Sequence, residues 1–233
     1  MNIAINGLFL TTANTGGGRY LTDLASGLKP HKNFRYFLLN NKDAARNLKI
    51  DNSLIKQIDC GWMTRARPAR IAWENLFLPY FIKNNKIDLL HASGFTLPLK
   101  TPCKSIATIF DMTFFIMPEM HQAGKVAYFK AMIPRTLKKA DLIIAISNQT
   151  KCDILRFSDI KESKIKVVYI GLDEKFRVVE VRDLIERTKK KYNLPKDYIL
   201  FVGTIEPRKN ISCIIEAYAQ LKREGFKQGL VIA

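Results

Sequence analysis

The sequence lacks the patterns that mark several classes of protein. Its four cysteines are scattered and form no CxxC pair, which argues against a zinc site and against a disulfide framework. No apolar run approaches the length of a membrane-spanning helix. The apolar N-terminus MNIAINGLFL has neither a basic leader nor a small-residue cleavage site, so we interpret it as a first strand. These absences favour a cytoplasmic protein with reduced thiols.

Acidic residues are few beside the basic ones. The 233 residues include 38 Lys and Arg against 21 Asp and Glu, a net charge of +17. Such a balance suits a nucleic-acid partner, an anionic membrane surface or phosphorylated small molecules, or it only keeps the protein soluble. The densest basic runs, at 65–70, 135–139 and 187–191, have no interleaved aromatic residues, which are typical of a single-strand-binding groove. We therefore expect no nucleic-acid partner.

Short apolar runs alternate with helical patterns along the whole chain. Runs such as LIIAI and ILFVG are apolar on both faces, so helices must cover them on both sides. This requirement predicts an α/β fold with a parallel, doubly wound sheet. The predicted strands are 2–10, 34–40, 54–60, 88–91, 104–110, 141–147, 164–170, 198–204 and 228–233. The predicted helices are 19–28, 70–83, 125–139 with a kink or split at Pro134, 148–157 with Ser147 as N-cap, 181–192, and one starting near Asn210.

The order of elements predicts two domains, 1–175 and 176–233. A polar, charged helix and a Leu-Pro break separate the strand KVVYI from a fresh strand, YILFVGT. The second series has two strands and one helix between them, which cannot bury both faces of a Rossmann-like sheet. We therefore expect the second domain to be incomplete in this chain and the chain alone to be catalytically incomplete.

Two turns between a strand and a helix are candidates for anion binding. The first contains Gly16, Gly17, Gly18 and Arg19, where glycine lets the backbone approach a ligand closely; a flexible surface loop is the alternative. The second runs from Gly203 through Arg208 and Lys209 into the next helix. Two cations at a helix N-terminus are unfavourable without an anion, so this turn favours a diphosphate site.

These stretches resemble, in order, the sequences of glycosyltransferase family 4, the retaining enzymes with the GT-B fold. ILFVGTIEPRKNISCIIEAYAQL resembles the opening of the donor domain, and MNIAINGLF with TGGGRY resembles the first strand and glycine loop. IATIFDMTFF, ADLIIAISNQTKCDIL and IKVVYIGLDEKF resemble later parts of the N-terminal domain. The resemblance covers nearly the whole chain.

The resemblance implies transfer of a sugar, with retention, from a nucleotide sugar to an acceptor bound mainly by the first domain. Lys209 matches the family's lysine for the donor phosphates, with Arg208 and Gly203 beside it. Gly16, Gly17 and Gly18 match the loop that closes over the diphosphate, and Arg19 and Asp111 would lie in the acceptor and sugar cleft. The resemblance implies neither a bound metal nor a cofactor apart from the nucleotide-sugar substrate.

The sequence departs from the family pattern at two positions. Thr204 stands where the family often has Arg, and Phe110 stands where it commonly has His, so that only Asp111 remains of a His-Asp pair. The family's ExxxxxxxE motif belongs later in the second domain. Glu216 and Glu224 have its spacing but lie in the helix after the Arg-Lys turn, where an amphipathic helix explains them.

Two histidines are further candidates for the cleft. His91 ends a predicted strand, at the sheet edge where α/β proteins bind ligands, and His121 follows Pro118 in a loop. A structural role is the alternative for both. No Ser-His-Asp or Cys-His spacing suggests a catalytic nucleophile.

Two aromatic segments with adjacent basic residues suggest contact with the inner face of an anionic membrane. Packing of the apolar residues into the core is the alternative. The first segment is Trp73, Leu76, Phe77, Pro79, Tyr80 and Phe81 with Lys83 and Lys86, and the second is Tyr128, Phe129, Met132 and Ile133 with Arg135, Lys138 and Lys139.

The predicted function is therefore transfer of a hexose, mannose or a similar sugar, to a glycan or lipid-linked acceptor in polysaccharide or glycoconjugate biosynthesis. Two alternatives stay open. One is a non-catalytic module or subunit that binds a glycan or lipid acceptor, and the other is a GT-B sugar-nucleotide epimerase.

Overall fold

A computed structural model describes residues 1–9, 16–41, 52–172 and 176–233. The chain divides into two compact units, Met1–Asp173 and Glu174–Ala233, called the first and second unit below.

The first unit contains a seven-stranded sheet in which every pairing is parallel. Its strand order is β3-β2-β1-β4-β5-β6-β7. The predicted strands are all found, most of them shorter at one or both ends. Their bounds are β1 Asn2–Asn6, β2 Arg35–Asn40, β3 Ile55–Asp59, β4 Leu89–Ala92, β5 Lys104–Ile109, β6 Leu142–Ala145 and β7 Ile165–Val167.

Helices lie in most of the described connections between these parallel strands, whereas residues 93–103 between β4 and β5 form none. The helices are α1 Gly16–Gly27, α2 Arg67–Leu76, α3 Leu78–Asn84, α4 Thr113–Ile116, α5 Ala123–Lys139 and α6 Asn148–Arg156, with short 3-10 turns at Trp62–Arg65, Pro118–Met120 and Glu162–Lys164.

Both faces of the sheet are buried. Successive residues of a strand point to opposite faces, and β1 illustrates the result. Ile3 and Ile5 pack in a cluster with Leu21 of α1, whereas Ala4 belongs to a second, larger cluster with Ile82 of α3. The double coverage inferred from strands that are apolar on both faces is confirmed.

Three predicted helices differ from those observed. The helix predicted at 70–83 is two helices, because Pro79 has no N–H to bond the carbonyl of Asn75 and the chain restarts after Phe77. The helix around Pro134 runs unbroken from Ala123 to Lys139, so the predicted split does not occur. Gly16, Gly17 and Gly18 are the first turn of α1 and not a loop before it.

The N-cap prediction for α6 is confirmed. The Ser147 hydroxyl oxygen accepts a hydrogen bond from the Thr150 backbone N–H at 3.0 Å, which satisfies one of the free donors of the first turn.

The second unit has a parallel pair, β8 Tyr198–Phe201 and β9 Gly229–Ile232. Its helices are α7 Arg182–Lys191 and α8 Ile211–Arg223, and a 3-10 turn spans Pro207–Lys209. None of the residues described from 176 onward is buried, and Val202 and Ile205 are 73% and 82% exposed. Two strands and their helices therefore leave apolar side chains uncovered here, as expected for so small a sheet.

Candidate active site

A cavity of about 370 Å³ lies where the strand order of the first unit reverses. The chain passes from β1 outward to β3 and then returns to β4, which pairs with β1 on its other side. In open α/β sheets ligands bind at such a switch point, beyond the carboxyl ends of the strands. The cavity is lined by Asn6, Phe9, Arg65, Arg67, Arg70, Glu74, Gly94, Phe95, Thr96, Phe114, His121, Lys125, Tyr128 and Phe129.

The end of β1 fixes the polar floor of this cavity. Asn6 is buried, and its amide donates a hydrogen bond to Glu74 Oε1 at 2.9 Å. Its side-chain oxygen accepts from the Leu8 N–H at 3.1 Å, and its backbone carbonyl accepts from the Ser93 hydroxyl at 2.6 Å. Asn6 thereby ties together β1, the segment after β4, and helix α2.

Two arginines of the first turn of α2 line the cavity, and each has one buried donor atom that lacks an acceptor among the described residues. Arg67 lies over the rings of Tyr128 and Phe129, with its Cζ 5.1 and 5.2 Å from their centroids. Arg70 Nη1 donates to the Leu8 carbonyl at 3.3 Å. Arg67 Nη2 and Arg70 Nε are buried and have no hydrogen-bond partner in the described parts of the chain. A buried donor without a partner costs about 1–3 kcal/mol, so this arrangement calls for an acceptor.

Electrostatics around the arginines follow from burial. Burial, with the charge of Arg70, lowers the pKa of Arg67, although a guanidinium stays protonated at any physiological pH. Burial raises the pKa of Glu74, and the Asn6 hydrogen bond and the charge of Arg70 oppose that rise. The cavity therefore has several fixed positive charges and one carboxylate that is less acidic than usual.

Aromatic rings form one wall of the cavity. Phe114 and Phe129 stack with their centroids 4.2 Å apart, and Phe95 packs against both at 6.0 and 5.4 Å. Gly94 begins this wall, and a Cβ there would lie 2.5 Å from the Phe9 ring, so the close approach requires glycine. Aromatic and charged side chains in one cavity are typical of a site for a ligand with both polar and apolar parts.

His121 lies at this cavity, and its predicted role in the acceptor cleft stays a prediction. Its Nε2 is 2.9 Å from Thr113 Oγ1, which donates to Asp111 Oδ1 at 2.6 Å. Because the one hydroxyl proton of Thr113 goes to the carboxylate, Nε2 of His121 is the donor in their bond. Asp111 therefore acts on the cavity through Thr113 and is not among the lining residues. Phe110, in the family's His position, packs edge-on against Tyr20, with centroids 5.1 Å apart.

His91 belongs to the core of the sheet and not to the cavity lining. Its side chain is 8% exposed, and Nε2 lies 2.8 Å from the Thr108 hydroxyl, which also bonds the Tyr20 hydroxyl at 3.0 Å. Burial lowers the pKa of His91 to about 4, so the ring is neutral at physiological pH. This placement favours the structural alternative.

The glycines predicted to form a loop are helical. Gly18 is buried in α1, and Arg19 on the same helix pairs with Asp23 at 3.3 Å. Neither residue lines the cavity. The roles that the resemblance assigns to Gly16, Gly17, Gly18 and Arg19 stay predictions.

The second predicted anion site is an exposed turn of the second unit. Gly203 follows β8, and Arg208 and Lys209 lie in the 3-10 turn Pro207–Lys209. Arg208 Nη2 pairs with Glu206 Oε1 at 2.6 Å. Asn210 adopts a left-handed conformation and α8 begins at Ile211, so Arg208 and Lys209 lie just before the helix and not in its first turn. The local carboxylate already balances one of the two cations.

Sequence reasoning missed the arginines and Glu74 of α2. The run at 65–70 was noticed only as charge, although its cations precede a predicted helix as Arg208 and Lys209 do. Applying the same helix-terminus argument to both runs would have identified it.

The apolar residues of the second aromatic segment, 128–133, do not form an exposed surface. Tyr128 and Phe129 line the cavity, and Met132 and Ile133 are buried, so packing and not membrane contact explains their apolar character. In the described ranges no helix is long and apolar enough to cross a membrane, and no three His, Cys, Asp or Glu side chains cluster as metal ligands would.

Comparison with known proteins gives the fold and the family of this chain. Over the whole chain it resembles the structure of HepE (Alr3699) from Anabaena, solved with UDP and glucose, with a TM-score of 0.65, 16% identity and 60% of that chain covered. The model of Glycosyltransferase Family 4 matches residues 14–176. The chain belongs to this family.

Two curated relatives from Escherichia coli are mannosyltransferases. The O-antigen chain mannosyltransferase B is 26% identical over 67% of this chain and 39% of its own length. The serotype-specific mannosyltransferase WbdA is 35% identical over 58% of this chain and 17% of its own length. The present chain thus spans less than half the length of either relative.

Proposed function

We propose that this chain is the acceptor-binding part, with the start of the donor-binding part, of a retaining hexosyltransferase of polysaccharide or glycoconjugate biosynthesis. Mannose is the sugar that its two curated relatives suggest. The cavity at the β1–β4 switch point carries the proposal, because it joins charged donors with stacked aromatic rings within the region matched by the family. The cavity binds the acceptor saccharide.

The donor is a nucleotide sugar, held at its phosphates by Lys209 with Arg208 and Gly203. Positive groups there stabilise the departing nucleoside diphosphate as the glycosidic bond breaks. Arg208 must exchange its Glu206 partner for a phosphate oxygen, whereas Lys209 is exposed and needs no such exchange.

The test uses the protein purified from its native source. Its intact mass is compared with the 26.7 kDa of this chain, and the protein is incubated with radiolabelled GDP-mannose and UDP-hexoses plus a membrane extract. We expect a labelled glycan whose new linkage keeps the anomeric configuration of the donor. Interconversion of a free nucleotide sugar without an acceptor would indicate an epimerase. Acceptor binding with no turnover in a species heavier than 26.7 kDa would indicate a binding module.

We further propose that one surface of the first unit rests on an anionic membrane. Helices α2 and α3 and the segment after β4 form a groove in which Leu76, Tyr80 and Leu99 are 61%, 69% and 58% exposed. Lys83 and Lys100 line the same groove. Apolar side chains flanked by lysines are suited to an anionic headgroup region.

Vesicle sedimentation tests the membrane surface. Wild-type protein should sediment with vesicles containing roughly 30% phosphatidylserine and not with vesicles of phosphatidylcholine alone. The Leu76→Ser/Tyr80→Ser variant should lose most of that binding, whereas Leu172→Ser, an exposed apolar residue elsewhere in the chain, should not. Equal binding by all three proteins would exclude this groove as the contact.

A further inference from the structure

The lining of the β1–β4 cavity has an excess of positive charge. Arg65, Arg67, Arg70 and Lys125 contribute four cations, and Glu74 is the one acidic residue among the described lining. A neutral saccharide would leave Arg67 and Arg70 without a paired anion in a partly buried site.

Two of these cations have donor capacity directed to no protein atom. Arg67 Nη2 and Arg70 Nε are buried without an acceptor, and neither residue forms an ion pair in the part of the chain that the structure describes. Glu74 accepts the amide of Asn6 and forms no ion pair with either arginine among the described residues, although the charge of Arg70 acts on its pKa. A guanidinium presents its N–H groups as a fork that matches the oxygens of a phosphate or a carboxylate.

The start of α2 adds to the same field. Helix α2 begins at Arg67 after Ala66, and no side chain caps its first turn. The positive end of the helix dipole and two arginines therefore meet at one place, which is unfavourable until an anion arrives.

The rest of the cavity is too large and too apolar for a bare ion. About 370 Å³ is within the range of small-molecule sites, and Phe114, Phe129 and Tyr128 are among the lining residues. The ligand should therefore combine an oxyanion with a larger, partly apolar body, which a sugar ring supplies.

We propose that the acceptor saccharide bound in this cavity is anionic, and that Arg67 and Arg70 hold its phosphate or carboxylate group. This inference rests on the proposed acceptor role of the cavity and adds the charge of the substrate. The shared chemistry is an oxyanion attached to a sugar, which a phosphorylated sugar or a uronic acid could supply.

Binding to the 233-residue chain without any donor tests the inference. Dissociation constants are measured by calorimetry for methyl glucoside, methyl glucuronide, glucose 6-phosphate and inorganic phosphate. We expect at least one of the two anionic sugars to bind roughly tenfold more tightly than the neutral one, since a charge-assisted bond is worth that much. The anion that shows the preference identifies whether the group is a phosphate or a carboxylate.

Variants connect the preference to the two arginines. Arg67→Gln/Arg70→Gln should abolish the preference for the anionic sugar over methyl glucoside. Arg156→Gln, an exposed arginine outside the cavity lining, makes a single matched change of charge and should keep the preference. If the double variant does not fold, judged by circular dichroism, the single Arg67→Gln variant should still reduce the preference.

The outcomes separate this inference from the proposed function. If neutral and anionic sugars bind equally, or the preference survives in the double variant, the anionic acceptor is wrong and the acceptor site stands. If inorganic phosphate binds as tightly as glucose 6-phosphate, the saccharide part is wrong. If no sugar binds, the acceptor role of the cavity fails as well.

Discussion

Arg67 and Arg208 both lie close to the start of a helix, yet their guanidinium groups meet different surroundings. Arg208 is in an exposed turn and pairs with Glu206, two residues before it, at 2.6 Å. Arg67 lies over two aromatic rings in a cavity, and one of its nitrogens is buried with no acceptor in the described chain. The sequence drew attention to the first, and the structure draws it to the second.

The difference shows what a basic pattern in a sequence can and cannot establish. A cation before a helix favours an anion, but a carboxylate on a neighbouring residue can supply it at little cost. Arg67 lies in a cavity whose one described carboxylate, that of Glu74, forms no ion pair with it. Arg67, whose Nη2 is buried without an acceptor among the residues described, is therefore a stronger candidate for binding an anion than Arg208.

The largest effect concerns a buried group that, unlike arginine, can lose its proton. His91 has its pKa lowered to about 4 by burial, against an ordinary value of 6.5. The unfolded chain therefore binds more protons, so stability is fully present above pH 6.5 and falls as the pH drops toward 4. We expect a loss of roughly 3 kcal/mol over that range from His91. Urea unfolding at several pH values measures it.

The matched variants for this prediction are His91→Gln and His121→Gln. The first should flatten the stability profile between pH 6.5 and 4, and the second should retain the wild-type slope. A wild-type slope in His91→Gln would mean that the ring is not held neutral.

The next largest effect concerns the turn Pro207–Lys209 of the second unit. Replacing Lys209 with Gln should weaken binding of UDP or GDP about tenfold, because one charge-assisted bond to the diphosphate is lost. Lys196→Gln, an exposed lysine of the same unit, serves as the control. The measurement is a nucleotide titration with the full-length native protein, and unchanged affinity in Lys209→Gln would remove this turn from the donor site.

Substitution by methionine tests the comparison directly through stability. Arg67→Met should stabilise the ligand-free protein by about 1 kcal/mol, because removal of an unsatisfied buried donor outweighs the lost contact with two rings. Arg208→Met should lower stability by less than about 1 kcal/mol, since it loses only an exposed ion pair. Thermal unfolding measures both. A clear destabilisation by Arg67→Met would show that its guanidinium is already satisfied.

The smallest effect concerns Glu74, whose pKa is raised by burial. For an acid with a raised pKa in the folded state, stability is greatest below the ordinary value of 4.5 and declines as the pH rises through the folded pKa. Glu74→Gln keeps an acceptor for Asn6 and should remove that decline, whereas Glu206→Gln should not. Identical pH profiles of stability for wild type and Glu74→Gln would show that the pKa of Glu74 is not raised in the folded protein.

Much of the fold could be predicted because its signals are local. Strands apolar on both faces, such as LIIAI, can form only in a covered parallel sheet, and Ser147 at the start of α6 caps as its residue type suggests. Element ends were less predictable. Gly16 looks like part of a loop, but glycine is also tolerated in the first turn of a helix.

The cavity could not be predicted because its parts are distant in the sequence. The basic run at 65–70 contains no aromatic residue. The rings under Arg67 come from Tyr128 and Phe129 of α5. Only the strand order, which brings the ends of β1 and β4 together, places them side by side. The position of His91 at a strand end did not reveal whether its side chain is buried. The side chain packs in the core and bonds Thr108.

The most direct measurement follows the arginine side chains themselves. Nitrogen-15 NMR of the Nε–Hε groups, with glucose 6-phosphate and methyl glucuronide added in turn and inorganic phosphate as control, reports which guanidinium groups meet an anion. If Arg67 and Arg70 await an anionic acceptor, at least one of the sugars should shift their signals, while the signal of Arg208 stays in place. Shifts of all arginines alike, or of Arg208 alone, would contradict the account.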